Sequence, residues 1–138
     1  MQLLPDDDCF AIRQAARYVS QLYDRHLAQV GLTITQFSIL GRFHGGRLLT
    51  MKQLADAMVM ERTTLVRAIQ PLQRDGLLSS RSAPTKGREL SLRWTPAGEA
   101  KYAAARAHWD AAQEDFEQRF GAERAATLRR ELLDMTKA

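Results

Sequence analysis

Apolar residues recur at three- and four-residue spacing from Asp8 to Val30: Phe10 or Ile12, Ala15 or Ala16, Val19, Leu22 or Tyr23, Leu27, Val30. That is the period of one helix face, and Gly31 supplies a stop. Thr33-Ile34-Thr35-Gln36 reads as a capping box, the Thr33 hydroxyl accepting from the Gln36 amide while the Gln36 side chain reaches back. It predicts a short helix through about Phe43, ended by Gly45-Gly46. Thr50-Met51-Lys52-Gln53 is a second such box, opening a helix to about Met58. A further helix is expected from about Arg62 to Asp75, stopped by Gly76 and kinked or weakened at Pro71, which lacks an amide donor. The texture changes at Leu77. Leu77–Arg81 and Glu89–Trp94 are short strand-like runs, and Ser82–Arg88 between them is rich in turn formers, the pattern of a β-hairpin with a long basic tip. Thr95-Pro96 sets an N-cap with proline at the first helical position. A long helix follows to about Phe120, is interrupted at Gly121, and a last helix covers about Ala122–Met135.

Two short capped helices followed by a hairpin make a winged helix-turn-helix, here framed by long helices at both ends of the chain. The expected fold class is mostly α (α+β). A single unit spans 1–138, with residues 32–94 as the winged helix-turn-helix and 1–31 and 95–138 as dimerisation helices. In the last segment Tyr102, Ala105, Trp109, Ala112, Phe116 and Phe120 repeat at helical spacing, and Leu128, Leu132 and Met135 continue beyond Gly121. Long terminal helices on a small domain cannot all bury such stripes internally, so pairing with a second copy is the economical solution. Core or interface is one reading of the aromatic stripe, and a cofactor box is the other.

Composition narrows the classes. The chain has 138 residues, 45% of them hydrophobic and 26% charged, with 4 prolines. No apolar run approaches the roughly 18 residues that span a bilayer. The opening MQLLPDDDCF is acidic where a secretory signal is basic, and one cysteine forms no internal disulfide. A cytoplasmic protein with no membrane contact is expected. The net charge of +4 is unevenly placed: residues 47–93 hold nine Lys and Arg against four Asp and Glu, whereas the remainder holds 11 against 12. The whole positive excess therefore lies in the middle third, which points to an anionic partner or to a solvated basic face.

Residues 52–72, KQLADAMVMERTTLVRAIQPL, contain the helix-turn-helix proper. Leu54, Ala55 and Met58 face inward from its first helix, and Leu65, Ile69 and Leu72 from its second. Arg62, Thr63, Thr64, Arg67 and Gln70 then project outward, with Gln53 at the start of the first helix. A major groove admits an α-helix and carries the distinctive donor and acceptor pattern of the bases. Arg67 suits guanine, and Thr63 and Thr64 suit base edges or a thymine methyl; the alternative is a solvated face. At the hairpin tip Lys86 and Arg88 flank Gly87, two cations on a thin projection able to follow the backbone or enter a narrow minor groove. Catalysis has little to stand on. His26, His44 and His108 are isolated, and no zinc, nucleophile or phosphate-loop motif occurs, so neither a cofactor nor a metal is expected.

Three successive segments carry a family resemblance: LTITQFSIL (Leu32–Leu40), LTMKQLADAMVMERTTLVRAIQPLQRDGLL (Leu49–Leu78) and RELSLRWTPAGEA (Arg88–Ala100). With "ERTTLVR", "QRDGLL" and "TPAG" in register, the chain resembles the MarR family of winged helix-turn-helix transcriptional regulators. The resemblance implies a homodimeric repressor on a pseudo-palindromic double-stranded operator, released by a small aromatic or phenolic effector bound between the dimer helices and the reading domain. Arg13, Arg17 and His44 are the candidate carboxylate partners for that effector. The chain departs from the family at two points. Lys86-Gly87-Arg88 replaces the usual Asp-x-Arg of the wing, and Val59 stands in the helix-turn-helix turn where glycine is frequent. A β-branched residue resists positive φ, so that turn is expected to take another backbone path. Cys9-Phe10 with Tyr23 also resembles the family's hydroperoxide-sensing branch, although Arg13 occupies the second tyrosine position. Two alternatives therefore stand beside the effector-released repressor: a redox-sensing regulator using Cys9, and an effector-independent DNA-binding protein.

Overall fold

The computed structural model describes residues 6–82 and 90–137. Helix α1 (Asp8–Leu27) begins where the Asp7 carboxylate accepts from the Phe10 amide at 2.7 Å. It tightens into a 3-10 turn over Ala28–Val30 and stops at Gly31, φ +73°. Helix α2 (Ile34–Gly41) closes its capping box in both directions, Gln36 N to Thr33 Oγ1 at 3.1 Å and Thr33 N to Gln36 Oε1 at 2.9 Å. It ends two residues earlier than expected, and residues 42–46 continue as turns. A two-residue strand β1 (Leu49–Thr50), too short to leave a sequence signal, leads directly into α3 (Met51–Met58). Helix α4 (Arg62–Arg74) carries Pro71 without ending there, since the residue costs only one backbone hydrogen bond near the helix end. Strands β2 (Leu78–Ser82) and β3 (Leu90–Trp94) pair antiparallel from Leu78↔Trp94 to Ser82↔Leu90, and β1 joins β3 at Leu49↔Leu92, giving the order β1-β3-β2. Helix α5 (Pro96–Phe120) and helix α6 (Ala122–Met135) complete the chain, hinged at Gly121.

The main core collects Leu27, Phe37, Ile39, Leu40, Phe43, Leu54, Leu65, Ile69, Leu72 and Leu92 around Ala105 of α5. A second cluster, Leu22, Tyr23 and Ala112 with Val19, Trp109 and Phe116, glues α1 to α5. Alanine at 105 and 112 is what lets α5 lie close to its neighbours, and both are fully buried. Core is the outcome for most of the aromatic stripe of α5. The stripe from Tyr102 to Phe116 is not a free dimer face, because α1 and α2 already pack on it. Among the large apolar residues left exposed are Phe10, Ile12 and Tyr18 on α1 and Leu128, Leu132, Leu133 and Met135 on α6, with Leu48, Val59 and Leu90 elsewhere.

One joint ties the hairpin to the long helix. Thr95 Oγ1 caps α5 by accepting from the Gly98 amide at 3.0 Å and donates to the Gly76 carbonyl at 2.5 Å. The Thr95 amide donates to the Leu77 carbonyl at 3.0 Å. Gly98 sits directly against that carbonyl, where a Cβ would overlap the oxygen and press on Trp94 Cβ at 3.1 Å. The Asp-Gly-Leu-Leu and Thr-Pro-Ala-Gly segments are thus two halves of a single contact.

Candidate nucleic-acid interface

The turn between α3 and α4 sets the geometry of the helix-turn-helix. Val59 does adopt the left-handed conformation, φ 53° and ψ 49°, against the expectation that a β-branched residue would avoid it. The reason is the helix end. The Met60 amide donates to Ala55 O at 3.0 Å and the Val59 amide to Asp56 O at 3.2 Å, which satisfies the last carbonyls of α3 and requires a left-handed residue between. Val59 therefore holds a strained backbone while its side chain is 69% exposed. With the turn so fixed, Leu54 and Ala55 of α3 and Leu65, Ile69 and Leu72 of α4 are buried.

Burial of that stripe leaves Arg62, Thr63, Thr64, Arg67 and Gln70 exposed on α4. Neither Arg62 nor Arg67 has an acidic partner within ion-pair distance among the described residues. A helix presenting free cations and hydroxyls, with its other side anchored in a core, is physically suited to a polyanionic groove. Gln53 differs from the rest: its side-chain oxygen accepts from the Thr50 amide at 2.9 Å, so only its NH2 group is left to donate outward. Lys52 is paired with Asp56 at 3.0 Å. Lys86 and Arg88 lie outside the described residues. The strands beside them present Arg81 and Arg93 to solvent.

The effector and redox candidates are scattered within the chain. His44 stands 6.1 Å from the Tyr102 ring and 6.2 Å from the Trp94 ring. Helix α1 runs antiparallel to α5, with Arg119 donating to Tyr18 Oη at 3.3 Å, so Arg13 and Arg17 lie toward the far end of α5. At 1.5 Å per residue the stretch from Tyr102 to Arg119 is about 25 Å, which separates the two arginines from His44. Cys9 is exposed in the first turn of α1. Tyr23 is buried about 20 Å further along the same helix, and its hydroxyl donates to Gln113. Burial raises the Tyr23 hydroxyl above its ordinary value, reinforced by Glu117 and opposed by Arg129. Nearby, the Arg119 hydrogen bond at 2.8 Å and then the His26 hydrogen bond at 3.1 Å hold the Asp115 carboxyl below its usual value.

A feature that the linear pattern did not single out lies between α2 and α5. A cleft of about 210 Å3 is lined by Phe37, Arg42, Tyr102, Arg106 and Trp109. Phe37 stacks on Tyr102 at 4.7 Å and on Trp109 at 6.0 Å, and the Arg106 guanidinium lies over the Trp109 ring at 5.2 Å. The helical repeat in the sequence shows these residues only as a core stripe. That two arginines flank them emerges once α2 packs on α5.

Comparison with known proteins bears on the whole arrangement. A family model described as the MarR family matches residues 30–89. Comparison with curated proteins finds no match. Among solved structures, the M. tuberculosis transcriptional regulator MosR, crystallised in complex with DNA, is 32% identical over 95% of this chain and 94% of its own, with a TM-score of 0.84. The transcriptional repressor CouR, bound to a DNA duplex, superposes with a TM-score of 0.83 at 23% identity over 95% of this chain and 93% of its own. A MarR variant from E. coli complexed with operator DNA gives 0.80 at 18% identity over 91% and 90%. The latter two likenesses are of fold.

Proposed function

The chain belongs to the MarR family of transcriptional regulators, and from that premise we propose that it binds a pseudo-palindromic double-stranded operator as a homodimer, acting as a repressor. In this reading residues 32–94 form the DNA-reading part, and the segments 1–31 and 95–138 pair two copies. The observation that carries it is α4: Arg62, Thr63, Thr64, Arg67 and Gln70 exposed on a helix whose opposite side is locked into the core. Arg67 donates to a guanine edge, Thr63 and Thr64 contact base edges, and Arg62 and the Gln53 NH2 contact phosphate. Lys86 and Arg88 at the wing tip follow the backbone. The DNA-bound state of the 32%-identical MosR supports the same use of the fold here.

Selection of bound duplexes from random DNA tests the reading. A palindrome with half-sites one helical turn apart is expected. Arg67→Ala should then weaken operator binding by about 1–3 kcal/mol and relax preference at one base pair. Recovery of no enriched sequence, or unchanged base preference in Arg67→Ala, overturns the assignment.

Beside Arg13, Arg17 and His44, the residues expected on sequence, we propose the cleft between α2 and α5 as the effector site. Its stacked rings suit a planar aromatic molecule, and Arg42 and Arg106 at its edge suit a carboxylate, with His44 nearby against Tyr102. Quenching of Trp109 fluorescence by 2-hydroxybenzoate, lost in Arg106→Ala, tests this. The redox alternative rests on Cys9, which within one protomer lies far from Tyr23 and whose would-be partner hydroxyl is already bonded to Gln113. Release of wild type but not Cys9→Ser from the operator by an organic hydroperoxide would favour that alternative.

A further inference from the structure

Four exposed side chains of α4, Thr63, Arg67, Gln70 and Arg74, stand at positions i, i+4, i+7 and i+11. That spacing puts them in one stripe, opposite Leu65, Ile69 and Leu72. At 1.5 Å per residue Arg74 lies about 16 Å along the axis from Thr63. A B-DNA major groove is about 12 Å wide. A helix that enters N-terminus first, with Thr63 and Arg67 at the bases, has therefore reached the groove wall by Arg74, and the wall is made of phosphates. Arg74 also has a distinctive partner in the free protein. Its Nε is 3.5 Å from Asp75 Oδ1, and both side chains are largely in water, 74% and 60% exposed. Asp75 cannot swing away with its backbone, because its amide is held by the Pro71 carbonyl at 2.9 Å.

We propose that Arg74 is a phosphate anchor at the rim of the groove and that Asp75 occupies its guanidinium until DNA arrives. This rests on the reading of α4 as the groove-entering helix. The exchange is favourable on elementary grounds. A long, single-point pair at the surface contributes little, because water and salt screen it. A phosphate offers the planar guanidinium two parallel hydrogen bonds. The anchor carries no sequence information. Its work is to hold α4 in the groove whatever the base sequence. Asp75 sets the strength of the anchor by competing for it, which limits the sequence-independent part of the affinity. A purely structural role, a cation placed against the C-terminal end of α4, would show in unfolding and not in the salt dependence of binding.

The experiment is an anisotropy titration of full-length protein between 50 and 200 mM salt. The probes are the duplex recovered by selection and a scrambled duplex of the same length. Arg74→Ala should lower affinity for both duplexes alike, roughly ten-fold at low salt, and reduce the salt slope by about one. Arg74→Lys should keep the slope. Asp75→Asn should raise affinity for both duplexes about three-fold, and the gain should vanish in the Arg74→Ala background. Thermal unfolding of each variant confirms that the fold is intact. An unchanged slope in Arg74→Ala overturns the anchor. A gain from Asp75→Asn that persists without Arg74 overturns the competition, since it shows general repulsion of phosphate. If the wild type binds neither duplex, the reading of α4 falls and the inference with it; if Arg67→Ala loses base preference while Arg74→Ala is silent, only the inference falls.

Discussion

Gly98 and Val59 show how much a single backbone position can decide. Gly98 is pressed on the Leu77 carbonyl, and the contact is between main chains, so no rotamer change relieves an added methyl. Gly98→Ala should therefore cost about 2 kcal/mol, as overpacking of a tight contact does, and lower Tm by several degrees. An unchanged melting curve would mean that the joint between hairpin and α5 is slack. Val59 is the opposite case. Left-handed backbone costs an ordinary residue about 1–2 kcal/mol, and glycine escapes that cost while giving back about 0.4–1 kcal/mol through a more flexible unfolded chain. Val59→Gly should thus stabilise the protein by about 0.5–1 kcal/mol, read as a rise in the denaturant midpoint. A lower midpoint would show that the exposed isopropyl group contributes more than the strain takes. The sequence named Val59 as an anomaly, yet the local preference of valine pointed to the wrong backbone. The hydrogen bonds that end α3 outweigh that preference.

At the scale of elements, the starts of the capped helices were legible, because a capping box is a local event: Thr33 with Gln36 and Thr50 with Gln53 bond within a single turn. The same holds for the stop at Gly31 and the start at Thr95. Strand β1 was not legible, since two residues have no period and Leu49 is a strand only by virtue of Leu92 across from it. The wing belongs to this scale as well. Replacing Lys86 and Arg88 together with alanine should weaken binding to all sequences and reduce the salt slope by roughly one unit per lost phosphate contact. Should Arg88 enter a narrow minor groove, the loss will be greater on A·T-rich flanks. A salt slope and affinity equal to wild type would remove the wing from the interface. The contrast with Arg67 is informative, because that substitution should alter preference at one base pair and the wing double variant should alter none.

For the whole molecule, the decisive fact is which apolar surfaces remain uncovered after the chain has folded. Phe10 and Ile12 on α1 and Leu128, Leu132, Leu133 and Met135 on α6 are exposed, whereas the aromatic stripe of α5 is used internally. The proposed dimer accordingly rests on the two ends of the chain. Leu128→Asp with Leu132→Asp should leave each protomer folded, since both positions are already in contact with water, and should shift the sedimentation profile from dimer to monomer with a large loss of operator affinity. A wild type that sediments as a monomer, or a double variant that still dimerises, would move the interface elsewhere. The sequence by itself determined the order of helices, their caps and stops, the hairpin, and the outward set on α4, because periodicity and capping act within a few residues of the chain. Tertiary structure alone decided which hydrophobic stripe is core and which is surface, that two arginines meet an aromatic stack between α2 and α5, and that Arg13 and Arg17 lie far from His44. Those are contacts between segments tens of residues apart, and a pattern along one helix records which residues share a face without recording what that face will meet.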